Sequence, residues 1–263
     1  GGLMEIVLIV MFFVIGLFFG SFFCVVGMRL GRNEDFIKGR SYCDSCHHSL
    51  SFLDMIPIFS YLFLRGRCRY CKQKVSPFST FIELFTGILF AVSYYSFGFS
   101  FDLLIALLAS SLFLIVLTSD LLYMIIPDSV LLFFAICFLV VRFFQGGFSL
   151  LASSLFSGAV LFLFMFCLMK LGNFLFKKES LGGGDVKLLF VIGLFLEPLV
   201  GLVAVFLGSF IALPVALFLY YRRKEPMIPY GPFLLLSALF LFFLKVTSSD
   251  ILTFLADFVA FSS

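Results

Sequence analysis

The sequence predicts an all-α protein that crosses a membrane several times. Its composition, its repeated apolar runs and its one large polar loop support this class. Hydrophobic residues make up 62% of the 263 residues and charged residues only 13%, whereas soluble domains average roughly 45–50% and 25%. The mean hydropathy is +1.19. The net charge of +3 comes without a basic stripe of interleaved aromatic residues, so we expect no nucleic-acid partner.

Apolar runs mark the membrane-spanning helices, each of which needs about 20 apolar residues to cross a bilayer. We predict about eight such helices, in the runs 6–26, 80–97, 103–126, 130–144, 150–171, 186–196, 198–221 and 232–246. The first run is too long for a signal peptide, so we expect it to be retained. The run 186–196 would cross only about half of the bilayer as a helix. We therefore expect it to begin below the membrane surface, or to form a re-entrant pair with the run that follows Glu197-Pro198.

A polar segment of about 50 residues follows the first run and carries half of the chain's 18 Lys and Arg residues. These are Arg29, Arg32, Lys38, Arg40, Arg65, Arg67, Arg69, Lys72 and Lys74. The positive-inside rule makes this loop cytoplasmic, and with eight spans Asp120 and Asp185 fall on the same side. We therefore divide the chain into a first transmembrane helix (1–29), a cytoplasmic four-cysteine loop (30–79) and a transmembrane bundle (80–263).

Two Cys-x-x-Cys pairs stand in this loop, Cys43 with Cys46 and Cys68 with Cys71, and 21 residues separate the pairs. Four thiolates paired in this way suit a tetrahedral zinc ion, as in a zinc ribbon. Disulfides are the alternative, but a cytosolic loop is kept reduced. A closed four-cysteine site leaves no open position on the metal, so the zinc would fold the loop and would not catalyse. His47 and His48 are expected to be solvated loop residues, or partners of the ligating cysteines, rather than ligands themselves.

Two acidic residues lie in apolar surroundings. Asp185 follows Gly182-Gly183-Gly184 directly before the run 186–196, and Asp120 follows the apolar residues 103–119. A charged side chain at the bilayer centre costs roughly 2.5–3.5 kcal/mol, so such a residue is a functional candidate by default. Each has a plain alternative: Asp185 can be a helix N-cap after a glycine turn, and Asp120 an interfacial helix end. If the two carboxylates meet, they share a proton and can act as acid and base, which is the chemistry of aspartic proteases.

Taken together, these motifs resemble the type IV prepilin leader peptidase/N-methyltransferases, intramembrane aspartic proteases of the Gly-x-Gly-Asp class. The resemblance runs nearly end to end. The matching segments are Gly20-Ser21-Phe22 with Arg29, the two cysteine pairs, Asp54 with Ile56-Pro57-Ile58 and Ser60, Arg65-Gly66-Arg67-Cys68-Arg69, Glu83, Asp120 with Ile126-Pro127-Asp128, Gly182 to Lys187, and Gly231-Pro232-Phe233.

The resemblance implies a catalytic pair at Asp120 and Asp185. The expected substrate-binding residues are Gly182, Gly184, Lys187 and Glu83, and Glu83 has an interfacial acid as its alternative reading. Such enzymes sit in the bacterial inner membrane, among its lipids. They remove a short basic leader from prepilins or pseudopilins after a glycine on the cytoplasmic face, and then methylate the new N-terminus with S-adenosylmethionine.

The chain departs from the family pattern at Phe23-Cys24, Met55 and Ser79-Thr80-Phe81. All three departures lie in the N-terminal third, which the family associates with methyl transfer. Two other classes remain open from the sequence. One is an ion- or proton-coupled transporter that uses Asp120 and Asp185, although no internal repeat is visible. The other is a zinc-bearing membrane assembly factor without chemistry of its own, which would not need two acids flanked by helix breakers.

Overall fold

A computed structural model of the chain describes residues 2–32, 34, 42–43, 45–177, 182–223 and 228–262. Lys38 and Arg40, which entered the charge count, lie outside these ranges. The described residues form α-helices and no β-strand. The helices are α1 (Gly2–Gly31), α2 (Phe59–Phe63), α3 (Phe78–Phe97), α4 (Phe101–Tyr123), α5 (Asp128–Phe176), α6 (Gly183–Gly193), α7 (Pro198–Arg223), α8 (Gly231–Phe243) and α9 (Ser248–Ser262), and a short 3₁₀ helix covers Phe52–Met55.

Each of the eight apolar runs contains a helix, and the all-α polytopic class is confirmed. Five of the described helices are long and apolar enough to cross a membrane, or six if α8 and α9, which meet at 89°, form one broken span. α5 has 49 residues, but its helix is broken at Gly146 and at Gly147, where φ is +65°. The break separates the two runs predicted there, because a positive φ suits glycine and interrupts helix geometry. α6 has 11 residues, or about 16 Å of helix.

The centre of the bundle is α4, the most deeply buried of the spanning helices, which packs against α1, α3, α5 and α8. Its last turn carries Asp120, and it ends where Met124 takes a left-handed conformation with φ +55°. The N–H of Met124 closes this end by donating to the Asp120 carbonyl oxygen at 2.9 Å. The helix therefore stops three residues after Asp120, at Tyr123, and the following turn leads into α5.

α1 approaches α3 and α4 through glycines. A Cβ atom on Gly16 would lie 2.7 Å from Gly87 Cα, and one on Gly20 would lie 2.7 Å from Glu83 Cα, so the backbones touch where side chains would clash. Small residues allow this kind of close packing between membrane helices. Further along α1, Gly27 lies against Thr118 and Gly31 against the ring of Tyr123. The end of α1 that leads into the cysteine loop is therefore also the end of the bundle where Asp120 lies.

The opposite end of α6 is held by side chains of α5. The Arg142 guanidinium donates to the carbonyl oxygens of Leu194 at 3.3 Å and Phe195 at 2.7 Å, and the Ser157 hydroxyl donates to that of Leu196 at 2.6 Å. The last carbonyls of a helix have no partner within the helix and need one from outside. α5 supplies these partners at the end of the α6 helix that lies away from Asp185.

We expect Gly16→Ala to destabilise the bundle, because its Cβ would press on the α3 backbone. Overpacking of this kind costs roughly 1–3 kcal/mol, so the unfolding temperature in detergent should fall by several degrees. Gly2→Ala is the matched control on the same helix, since a Cβ there has no neighbour within 4 Å. Equal unfolding temperatures for the two variants would show that the α1–α3 contact is looser than the structure has it.

Candidate active site and metal centre

The four cysteines of the loop converge on one point. The Sγ atoms of Cys43, Cys46, Cys68 and Cys71 all lie within 4.8 Å of one another, and those of Cys43 and Cys71 are 3.9 Å apart. A tetrahedral zinc ion with Zn–S bonds of about 2.3 Å places its sulfurs about 3.8 Å apart, whereas a disulfide needs about 2.05 Å. The arrangement therefore fits a metal held by four thiolates, as in the zinc ribbon that the sequence predicts.

The two cysteine pairs have the same local geometry. In the first, Cys43 N–H donates to the His48 carbonyl oxygen and His47 N–H donates back to that of Cys43. In the second pair, the Cys68 N–H donates to the Gln73 carbonyl oxygen, and the Lys72 N–H donates to the Cys68 carbonyl oxygen. The residue after each second cysteine has a positive φ, +54° at His47 and +59° at Lys72. Each pair is thus a tight turn that aims both sulfurs at the same side.

Neither histidine belongs to the sulfur cluster. The His48 ring instead packs on the ring of Tyr70, with centroids 3.7 Å apart, and His47 lies against Tyr42. The His48–Tyr70 contact joins the first cysteine turn to the second. The expectation that the cysteines alone form the centre agrees with this arrangement.

The thiols of the cluster differ in acidity. Backbone N–H groups of Cys46 and Ser45 lower the pKa of Cys43 to about 7, because they stabilise its thiolate. The hydrogen bond from Gln73 favours the Cys71 thiolate, but burial and the three neighbouring sulfurs outweigh it and raise the pKa of Cys71 to about 11. A metal ion must therefore displace protons from this cluster when it binds.

Two carboxylates anchor the loop. Asp54 forms an ion pair of 2.7 Å with Arg69 and accepts hydrogen bonds from the backbone and hydroxyl of Ser51. Although partial burial opposes ionisation, these partners hold the pKa of Asp54 below its usual value. Glu83 in α3 accepts from the Ile58 N–H at 2.8 Å and from the Ser21 hydroxyl of α1. The loop is thereby tied to the bundle at Glu83.

We expect purified protein to carry about one zinc ion per chain, and Cys43→Ser or Cys71→Ser to lower the zinc content and expose the loop to proteases. Metal analysis and limited proteolysis measure both effects. Cys167→Ser is the control, because Cys167 is an exposed cysteine of α5 outside the cluster. A zinc content below about 0.2 per chain, with all four thiols open to alkylation, would exclude the closed site.

Asp120 lies at the loop end of α4 and is only 6% exposed. Its carboxylate accepts a hydrogen bond from the backbone N–H of Gly231, the first residue of α8. A Cβ atom on Gly231 would lie 3.2 Å from Asp120 Oδ2 and 2.9 Å from Ile126 Cδ1. Only a residue without a side chain lets the start of α8 come this close.

Asp185 lies in the first turn of α6 and is 9% exposed. The backbone N–H of Gly182 donates to its carboxylate, which is close enough to Asp120 for the two negative charges to repel each other. α8, which begins at Gly231, packs against both α4 and α6. The structure thus places the two predicted catalytic acids together at one end of the bundle.

The three glycines before Asp185 have different surroundings. A Cβ atom on Gly184 would lie 3.1 Å from Ile126 Cβ, so the side chain of the α4–α5 turn fills the space over this glycine. A Cβ on Gly183 would meet nothing within 4 Å, and Gly182 is exposed. The carboxylate pair is therefore accessible from the side of Gly182 and Gly183, whereas Gly184 packs against the turn that carries Ile126.

Lys187 and Glu83, also expected at the site, have partners within the protein. Lys187 Nζ lies 2.8 and 2.7 Å from the two carboxylate oxygens of Asp128, an exposed ion pair between α6 and the start of α5. Glu83 lies against Gly20 of α1, whereas Thr118, in the turn of Asp120, lies against Gly27, seven residues or about 10 Å further along α1. Lys187 thus lies on the helix that carries Asp185, whereas Glu83 lies about 10 Å along α1 from the turn that carries Asp120.

Two residues of the site had no role in the sequence analysis. Gly231 was matched only as part of a motif, and Ile126 only as part of an Ile-Pro-Asp turn. For Gly231, the available sequence signal was its position directly before Pro232. A Gly-Pro pair favours a helix N-terminus that another segment can approach closely. No sequence pattern indicates that Ile126 packs between Gly184 and Gly231.

The fold and the site define a polytopic membrane protein with two buried carboxylates at one end of its bundle and a four-thiol centre in the adjoining loop. Two family models match the chain: the bacterial peptidase A24 N-terminal domain over residues 14–97, and the type IV leader peptidase family over residues 106–217. No solved structure matches the chain significantly. The division of the chain at residues 29 and 79 stays a prediction.

Several relatives carry the name prepilin leader peptidase/N-methyltransferase. A protein of Klebsiella pneumoniae is 33% identical over 190 residues, which are 70% of this chain and 83% of the relative. One of Myxococcus xanthus is 34% identical over 187 residues, 71% of this chain but 56% of the relative's length. One of Vibrio cholerae is 29% identical over 258 residues, 91% of this chain and 98% of the relative. The chain belongs to the type IV leader peptidase family.

Proposed function

We propose that the chain is an aspartic endopeptidase that removes the leader of type IV prepilins or pseudopilins after a glycine. The observation that carries this proposal is the pair of buried carboxylates, Asp120 and Asp185, at one end of the bundle. The names of the relatives supply the substrate class. No observation favours an ion- or proton-coupled transporter over an aspartic endopeptidase.

The chemistry follows from the proximity of the two acids. Because two neighbouring carboxylates cannot both ionise freely, they hold one proton between them. The ionised member takes a proton from a water molecule, whose oxygen attacks the scissile carbonyl carbon. The protonated member then gives its proton to the peptide nitrogen as the C–N bond breaks. The products are the leader with a new carboxylate and the mature chain with a new amine.

The basic residues of the cysteine loop support a cytoplasmic site of cleavage. Gly31 of α1 touches Tyr123 of α4, so the basic cysteine loop and the two acids lie at the same end of the bundle. Excess Lys and Arg mark a cytoplasmic segment. The active site then faces the cytoplasm of a bacterial inner membrane, and the basic leader of a substrate stays on that side while its apolar helix remains in the bilayer.

Substrate would reach the acids from the side of Gly182 and Gly183. A peptide must be extended to be cut, and a backbone without side chains leaves room for it. Gly182 and Gly183 are exposed and no neighbour occupies the Cβ position of Gly183. Gly184 and Lys187 would then act on the substrate indirectly, by setting the position of α6 against Ile126 and Asp128.

The proposal includes N-methylation of the new N-terminus with S-adenosylmethionine, as the names of the relatives suggest. The methyl donor would supply an activated methyl group to the free amine. The Ile58 N–H and the Ser21 hydroxyl both donate to Glu83, so its carboxylate is already engaged and we assign it no contact with this cofactor. A role for Glu83 in substrate binding stays a prediction. Incubating purified protein with a prepilin and weighing the product for a lost leader and one added methyl group tests both activities.

We expect Asp120→Asn and Asp185→Asn each to abolish cleavage while the protein still inserts and folds, because an amide keeps the shape but cannot carry the shared proton. The loss should reach roughly 10³-fold or more, and the double variant should be no worse than either single one. Asp257→Asn in the exposed part of α9 is the control. Substantial cleavage by either single variant would exclude the shared-proton mechanism.

The glycines offer a second, matched test. Gly183→Val places a branched side chain in the open space beside the acids and should reduce cleavage without lowering the unfolding temperature. Gly184→Val presses on Ile126 and should lower both. Cleavage rates and thermal unfolding of the two variants give the comparison. Full activity of Gly183→Val would place the substrate elsewhere.

A further inference from the structure

A cavity of about 530 Å³ at the base of the cysteine loop is lined by three basic side chains, Arg65, Arg67 and Lys74, and by no acidic residue. The hydroxyl-bearing residues Tyr61 and Ser76 also line it. A guanidinium offers five N–H donors that match phosphate geometry, and a lysine adds a point charge. The donors around this cavity are therefore those of an anion site.

The positive charges of this cavity are not balanced within the described part of the chain. The ion pairs found there join Asp54 to Arg69 and Asp128 to Lys187, and neither involves the basic residues of the cavity. Arg67 and Lys74 also stand opposite each other across an antiparallel bridge. Like charges in that position destabilise a bridge. A bound anion would relieve this repulsion.

The cavity lies at the membrane surface. Ser76 and Pro77 line it and directly precede Phe78, where the spanning helix α3 begins. The Ile58 N–H, at the start of α2, reaches Glu83, which lies five residues into α3. The loop residues around the cavity are therefore held against the mouth of a membrane helix, which is the level of the lipid headgroups.

The short helix α2 beside the cavity exposes an apolar face. Phe59, Leu62 and Phe63 are 56%, 63% and 85% exposed, and Tyr61, which lines the cavity, lies between them on the same helix. Exposed aromatic and aliphatic residues next to basic ones are typical of segments that enter the boundary between headgroups and acyl chains. A ligand that has both an anionic group and apolar chains therefore finds a basic cavity and an apolar face side by side.

We propose that Arg65, Arg67 and Lys74 bind the phosphate of an anionic phospholipid in the leaflet that faces the loop, with the side chains of α2 against its acyl chains. Basic pockets at the cytoplasmic side of membrane helices bind anionic headgroups in this way. The lipid would hold the cysteine loop down on the bundle, next to its anchor at Glu83. This binding does not depend on the peptidase activity.

The test uses delipidated, zinc-loaded full-length protein in neutral detergent. It is titrated separately with phosphatidylglycerol, phosphatidylcholine and inorganic phosphate, and native mass spectrometry counts the bound molecules. The cavity variant carries Arg65→Gln, Arg67→Gln and Lys74→Gln. The control variant carries Lys170→Gln, Lys177→Gln and Arg222→Gln, which removes the same charge from exposed residues that do not line the cavity.

We expect the cavity variant to need about tenfold or more phosphatidylglycerol for half-saturation, and the control variant to behave like the unchanged protein. An equal loss in both variants, or no loss in either, overturns the proposal. Binding of inorganic phosphate as tight as that of phosphatidylglycerol overturns the assignment to lipid.

A measurement on the unchanged protein covers the case in which the cavity variant loses its zinc or unfolds. Phosphatidylglycerol with a photoreactive headgroup is crosslinked to the protein, and the labelled peptides are mapped. Labelling concentrated within residues 61–77 supports the site, and labelling elsewhere contradicts it.

Discussion

Burial of two carboxylates in an apolar bundle is the constraint on which the rest of the structure depends. A charged group at membrane depth is costly unless other groups hold it and share its charge. Asp120 and Asp185 accept hydrogen bonds from the backbone N–H groups of Gly231 and Gly182. Because backbone donors need close approach, the helices around the acids begin or end with glycine or with a tight turn.

Ile126 joins the three segments that surround the acids. It lies in the turn after α4, and its side chain fills the spaces over Gly184 of α6 and Gly231 of α8. A larger residue at either glycine would push that helix away from the turn. The packing of one aliphatic side chain against two glycines therefore sets how closely Asp120 and Asp185 approach.

α6 is too short to span a membrane alone, so its position is set by its neighbours. At the far end, Arg142 and Ser157 of α5 hold the carbonyls of Leu194, Phe195 and Leu196. At the near end, Lys187 pairs with Asp128. The surface ion pair contributes little by itself, whereas the half-buried Arg142 satisfies carbonyls that would otherwise lack partners. α5 thus fixes the helix that carries Asp185 at both of its ends.

The sequence by itself determined the membrane class, the helical runs and the four-cysteine cluster, because hydropathy and Cys-x-x-Cys spacing are local properties. It also marked both acids as candidates, since charge in an apolar run is visible without a structure. Only the tertiary structure decided that Asp120 and Asp185 lie near enough for their charges to repel each other, that Gly184 faces Ile126 while Gly183 is open, and that Arg142 holds the C-terminal end of α6. Each of these depends on contacts between residues far apart in the chain, and packing in three dimensions, not local periodicity, sets such contacts.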